Sequence, residues 1–385
     1  MGLESLVQRC EDLCRDLDFN YVKEWKKKTG SKAVAFMPIY VPRELIHAAG
    51  MLPVGIMGGG DDLEIIRGDA YFQSYICRIP RSTIELGLGG KLDCMDGFLF
   101  PAICDVIRNL SGMWKIMFKE KYAKYLDFPQ NLGKSGKNFY VQELQQLKAD
   151  FETISGKKIT DESLGRSNAL YNENREVLRE LYDLRSRYPH QILTYEAYLI
   201  LRASNILEVS EHTRLVRDYM ALAMKKSRPN RDYVRVIVSG AFCEQPPLTL
   251  IRALEGSGCY IVDDDWVLGA RYVLGAVSGS GDPLMALADS YMDKTVATGS
   301  RHEDASVKGD YLIRLVRERR ADGVVFAAPS FCDPALLERP MLQDALTAEN
   351  IPHTGFKYAE NTGQIQTIKE ETGTFADSIK LWGAE

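Results

Sequence analysis

Short apolar runs closed by glycine or proline alternate along this chain with stretches whose apolar residues recur at helical spacing. That is the pattern of strands each followed by a helix. Lys32–Tyr40 and Leu52–Met57 read as strands, separated by a short helix over Pro42–Gly50 that glycine closes. Gly97–Phe100 reads as a third strand. After Val106 the pattern turns helical as far as about Met224, with Glu, Lys, Arg and Leu at helical spacing in Val141–Phe151, Asp161–Tyr188 and Tyr195–Met224. Strands return at Tyr233–Gly240, Cys259–Asp265 and Asp322–Ala328, with helices predicted near Leu248–Leu254, Ser306–Arg320 and Met341–Glu349 and an edge strand at Pro352–Phe356. The first 29 residues read as one amphipathic helix stopped by Lys26-Lys27-Lys28-Thr29-Gly30. Ala70–Leu86 reads as a helix or helix pair.

Strand, helix, strand in succession implies parallel sheets, so the expected class is α/β. At 385 residues the chain exceeds one typical core. The expected division is residues 1–140 for the N-terminal helix and first α/β domain, 141–230 for a helical segment, and 231–385 for a second α/β domain. Ser227-Arg228-Pro229-Asn230 marks the clearest boundary.

Composition narrows the function. Lys and Arg number 48 against 53 Asp and Glu, for a net charge of -5. No basic stripe offers a nucleic-acid footprint, so no nucleic-acid partner is expected. No apolar run approaches the roughly 20 residues that span a bilayer, and Met1-Gly2-Leu3-Glu4-Ser5 does not open an export signal. No membrane partner and a cytoplasmic location are expected. The phosphate-loop pattern is missing too: Gly90-Lys91, Gly136-Lys137 and Gly156-Lys157 lack both the upstream glycine and the following Ser or Thr, and Gly133-Lys134-Ser135 has Phe128 where the upstream glycine belongs. Gly58-Gly59-Gly60 reads as a turn before it reads as a phosphate cradle. Five histidines and no G-x-S-x-G give a Ser-His-Asp hydrolase little support.

The cysteines carry the candidate chemistry. Eight are scattered through the chain, which favours metal or redox use over disulfides. Asp96-Gly97-Phe98-Leu99-Phe100-Pro101-Ala102-Ile103-Cys104-Asp105 is echoed by Asp322-Gly323 through Pro329-Ser330-Phe331-Cys332-Asp333. In each, an apolar strand ends in proline and delivers Cys-Asp at a strand's carboxyl end, where ligands of open α/β sheets bind and where a helix start favours thiolate. Cys104 and Cys332 are therefore candidates to share one crevice. Cys10 and Cys14 read as structural, and Cys94 falls before its strand. Cys243 also follows a strand, which leaves a fourth ligand open. Zinc is the competing metal, although its usual close cysteine pairs are missing.

Three features together resemble the 2-hydroxyacyl-CoA dehydratase and benzoyl-CoA reductase family. They are Ile76-Cys77-Arg78, Pro101-x-x-Cys104-Asp105 and Phe331-Cys332-Asp333-Pro334, and Gly363-Gln364-Ile365-Gln366-Thr367-Ile368-Lys369-Glu370 matches the family's closing segment. The resemblance implies two Rossmann-like (flavodoxin-like) parallel-sheet domains with an added helical layer, and a [4Fe-4S] cluster held by Cys77, Cys104 and Cys332. Cys77 rests on the resemblance alone. Also implied are an acyl-CoA substrate, a sister iron-sulfur subunit, separate ATP-binding electron-activating subunits, and ferredoxin as electron donor. The tail points to the reductase branch, hence to single-electron reduction of the benzoyl-CoA ring. A (R)-2-hydroxyacyl-CoA dehydratase subunit and a non-catalytic electron relay are the alternatives.

Overall fold

The computed structural model describes residues 2–240, 246–266, 270–359 and 364–382. In chain order the first half holds α1 (Leu3–Arg15), α2 (Asn20–Thr29), β1 (Ala33–Phe36), α3 (Arg43–Ala48), β2 (Leu52–Gly55), α4 (Arg78–Leu88), β3 (Gly97–Pro101), α5 (Asp105–Met117) and β4 (Tyr122–Leu126). A helical run follows as α6 (Lys134–Ser155), α7 (Asp161–Arg187), α8 (Thr194–Ala203) and α9 (Val209–Ala223). The second half holds β5 (Val234–Gly240), α10 (Leu248–Gly256), β6 (Cys259–Asp264), α11 (Pro283–Asp293), α12 (Ala305–Arg319), β7 (Gly323–Pro329), α13 (Asp333–Ala348), β8 (His353–Tyr358) and α14 (Ile365–Trp382).

Two all-parallel sheets result, ordered β2-β1-β3-β4 and β6-β5-β7-β8. Relabelled from its own first strand, the second order is the same as the first, so the fold is α/β with a repeated flavodoxin-like strand order. In such a sheet the order reverses beside the first strand, and the crevice outside the carboxyl ends there is the usual ligand site. β3 and β7 are the strands just across that reversal. The echo between Asp96–Asp105 and Asp322–Asp333 is thus a structural equivalence.

Burial explains the continuous apolar runs. β7 is buried along its whole length. Val325 and Ala327 face a core built with α1, α8, α9, α10 and α14, while Val324 and Phe326 face α12 and α13. A parallel strand covered on both sides has no polar face to alternate with. The two halves also share cores. Tyr272, Leu284, Leu287 and Met292 join the core of the first sheet, and Leu3, Leu6, Val7 and Cys10 of α1 join that of the second.

The structure departs from the sequence expectations at three places. The N-terminal helix breaks at residues 16–19, where Phe19 adopts a left-handed φ of 53°. β4 lies inside the stretch read as helical; Tyr122-Ala123-Lys124-Tyr125-Leu126 carries β-favouring tyrosines but is only five residues long. The helix expected from Ala70 begins only at Arg78, with Cys77 as its N-cap.

Buried ion pairs lock the helical run to the sheets. Arg175 of α7 pairs with Glu44 of α3, and Arg185 of α7 reaches Asp264 at the end of β6 at 2.6 Å. Tyr182 also donates to Asp264, at 3.1 Å. Removing one partner strands a buried charge, so Arg185→Met is expected to destabilise folding by about 3–5 kcal/mol, measured by urea denaturation against wild type.

Candidate three-cysteine site

Each of the three candidate cysteines is the N-cap of a helix: Cys77 of α4, Cys104 of α5 and Cys332 of α13. The local sequences explain why. Pro101 and Pro329 are the last residues of β3 and β7, and Pro80 and Pro334 fall in the first turns of α4 and α13, where a missing N–H costs nothing. The Cys104 carbonyl accepts the Arg108 N–H at 3.2 Å and the Cys332 carbonyl accepts the Leu336 N–H at 3.0 Å, which opens both helices.

All three line one cleft of about 510 Å³. Its walls come from both halves of the chain: Ile76–Cys77, Ala102–Val106, Tyr125, Asp127 and Phe128 on one side, Gly299–Ser300 and Phe331–Pro334 on the other. Gln130 stitches the walls together, donating to the Ser300 carbonyl at 3.3 Å and accepting from the His302 N–H at 2.8 Å. Cys332 is buried and the other two are half-buried. Phe331 and Leu337 stand exposed at the mouth.

Three helix N-termini aimed at one cleft favour negative charge there, and thiolates are the form that binds metal. Burial pushes the Cys104 thiol up, the N–H groups of Ile107 and Val106 pull it down, and the charge of Cys332 raises it again. Cys104 and Cys332 thus sense one another across the cleft. Among the described residues no three His, Cys, Asp or Glu side chains converge on a single-ion site. The cleft has room for a group larger than a single ion, whereas zinc would need its ligands gathered within about 2.3 Å of one metal.

The other described cysteines lie elsewhere. Cys10 is fully buried in the core of the second sheet, and burial pushes its thiol up to about 12. Cys14 packs 3.9 Å from the Leu199 carbonyl. Cys94 precedes β3 at its amino end, where Lys26 donates to its carbonyl at 2.6 Å. Cys243, the fourth ligand left open above, lies outside the described residues. Sequence reasoning missed Tyr125, Asp127 and Gln130, because recognising them required β4. It also missed Gly299 and Ser300, which no local pattern singles out.

Asp105 and Asp333 directly follow the N-cap cysteines as the first residues of α5 and α13. Both aspartates are exposed first-turn residues, and neither helix has a side-chain cap. Their contribution is then charge against the helix dipole, about 0.3–1 kcal/mol. Asp105→Asn and Asp333→Asn are expected to keep full iron content, lowering turnover less than about fivefold on that dipole scale. Iron analysis with steady-state assay checks this; loss of turnover with iron intact would assign the carboxylates to proton transfer.

The family described as 2-hydroxyglutaryl-CoA dehydratase, D-component, matches residues 38–379. The C subunit of benzoyl-CoA reductase from Thauera aromatica is 54% identical over 385 residues, covering 99% of this chain and 100% of that protein. The (R)-phenyllactyl-CoA dehydratase beta subunit of Clostridium sporogenes is 30% identical over 335 residues, covering 86% and 88%. The beta subunit of (R)-2-hydroxyglutaryl-CoA dehydratase from Acidaminococcus fermentans is 30% identical over 361 residues, covering 92% and 94%.

Proposed function

The chain belongs to the 2-hydroxyglutaryl-CoA dehydratase D-component family, and we propose that within it this protein is the iron-sulfur C subunit of an ATP-dependent benzoyl-CoA reductase. The reaction is single-electron reduction of the aromatic ring of benzoyl-CoA to a cyclohexadienoyl-CoA. The observation that carries the reading is the convergence of three N-cap cysteines on one cleft. The full-length likeness to a reductase subunit favours ring reduction over dehydration.

Cys77, Cys104 and Cys332 would hold a [4Fe-4S] cluster, which supplies single electrons at potentials down to about -700 mV. The protein's own contribution is electrostatic and steric. Three helix N-termini stabilise the thiolates, and the apolar walls from Ile76, Ile103 and Phe128 limit water in the cleft. Partners in this reading are a sister iron-sulfur subunit, separate ATP-binding electron-activating subunits, ferredoxin as donor, and the acyl-CoA substrate, all in the cytoplasm. Among the described residues no helix is long and apolar enough to cross a membrane.

The test is the complex assembled with its partner subunits under anaerobic conditions, assayed separately with benzoyl-CoA and a 2-hydroxyacyl-CoA. Ring reduction at a rate at least about tenfold above dehydration, a gap of about 1.4 kcal/mol in barrier, is expected. Dehydration alone would move the chain to the other branch of the family.

A further inference from the structure

Behind the cysteine cleft lies a second, smaller pocket of about 40 Å³, lined by Ser239, Asp264, Asp265, Lys308, Tyr311 and Glu338 among others. It sits at the carboxyl ends of β5 and β6 and is roofed by α12 and α13. A water needs about 10–15 Å³ and two to four polar partners, so the pocket has room and partners for water. Neither the cluster reading nor the ion pairs of the helical run use Asp265, Lys308 or Glu338.

The polar groups are arranged by charge. Asp264 is neutralised by Arg185 at 2.6 Å, and Lys308 is paired with Glu338 at 2.6 Å. Asp265 instead meets two neutral donors, the Gly240 N–H at 2.6 Å and the Ser239 hydroxyl at 3.2 Å. Burial, with the charges of Asp264 and Glu338, pushes its carboxyl up to about 8. Tyr311 of α12 lines the pocket as well, and burial, the charge of Asp263 and, to a lesser degree, that of Asp265 raise its phenol, against the pull of Arg271. Burial thus shifts Asp265 toward its protonated form.

Glu338 joins the pocket to the cleft. Gly299 lines the cysteine cleft, and a Cβ built on it would lie 3.2 Å from Glu338 Oε2 and 2.7 Å from the Pro334 carbonyl. That carboxylate therefore packs close to Gly299, a residue of the cleft wall. Beside it, Ser300 Oγ and Glu303 Oε2 are buried without a hydrogen-bond partner among the described residues.

We infer that Asp265, with Lys308 and Glu338, is a proton store behind the wall of the three-cysteine cleft that supplies one proton for each electron delivered there. The Asp265 O–H bond breaks and its proton passes through pocket water and Glu338 to an acceptor in the cleft. That acceptor has received its electron from the low-potential iron-sulfur donor of the proposed reaction. The carboxylate left on Asp265 takes its next proton from solvent. Delivery into the cleft rests on the proposed reductase reading, whereas the stored proton does not.

Two measurements on the isolated full-length chain test the store without turnover. Infrared difference spectra between wild type and Asp265→Asn should show a protonated-carboxyl C=O band at neutral pH that titrates near 8. Lys308→Met should move that titration upward, because Glu338 loses its cation. Folding stability gives the second measurement. A carboxyl whose folded pKa is raised makes the folded state hold more protons than the unfolded one, so wild type should lose stability relative to Asp265→Asn as pH rises from about 4 to 8. Absence of the band, or a band that ignores Lys308→Met, overturns the proposal.

In the assembled complex, Asp265→Asn should lower turnover by roughly 10²-fold with iron content unchanged. It should also remove the fall in rate above pH 8 that is expected of wild type. Asp265→Glu should restore part of both. Wild-type turnover in Asp265→Asn, or an equal loss at every pH, overturns delivery into the cleft. If no chain supports ring reduction, the reductase reading fails while the infrared band still decides the store.

Discussion

Replacing Cys104 or Cys332 by alanine is expected to take the anaerobically isolated chain from about four bound irons to background. Cys77→Ala is expected to do the same, and it is the sharpest of the three tests, because only family resemblance nominated Cys77 from sequence. The geometry now gives it the same standing as the others, an N-cap on the same cleft. Cys10→Ala and Cys14→Ala should leave iron content unchanged. Cys10 is fully buried among Leu3, Leu6 and Val7, and burial pushes its thiol up to about 12, so it behaves as a small apolar side chain. Iron and sulfide analysis with EPR of the reduced protein reads the result. Equal iron in the cleft and core variants would refute the assignment.

The echo of Asp-Gly, apolar run, proline and Cys-Asp was legible because both copies end buried central strands, where apolar continuity and a terminal proline leave an unambiguous trace. Cys77 left no such trace. The irregular residues 71–77 before it are rich in Tyr and Phe and mimic a helical face, so the helix read from Ala70 swallowed the residue that caps it. Pro80 held the missing signal. A proline fits the first turn of a helix and disrupts its interior, which sets the start close to Arg78 and leaves Cys77 as the cap. Gly299 and Ser300 were beyond reach for a different reason. Their place in the cleft depends on how the two halves share cores, through residues 272–296 packing against the first sheet, and local periodicity carries no information on that.

Benzoyl-CoA reduction is expected to be absent when this chain and its sister subunit are supplied with dithionite and ATP but no further component, and ATP hydrolysis should stay at background. The structure accounts for each Gly-Lys pair that might have bound phosphate. Gly90 follows the C-terminal end of α4 and Gly156 is the C-cap of α6, the negative ends of their helices. Lys137 is spent on Asp289 and Asp293, both at 2.9 Å. Gly133 does begin a helix, but its N–H already donates to the Asn131 side chain at 2.8 Å, and a Cβ on Gly136 would collide with the Asn131 carbonyl. That turn is packed against its own backbone and cannot open a cradle for phosphate. Dithionite by itself delivers electrons without the added driving force that ring reduction needs, so the energy must enter through another polypeptide. Adding a separate ATP-hydrolysing electron donor should switch reduction on, with ATP consumed in step with product. Substantial ATP-dependent ring reduction by the two subunits alone would show that a nucleotide site exists within them and would overturn this assignment of roles.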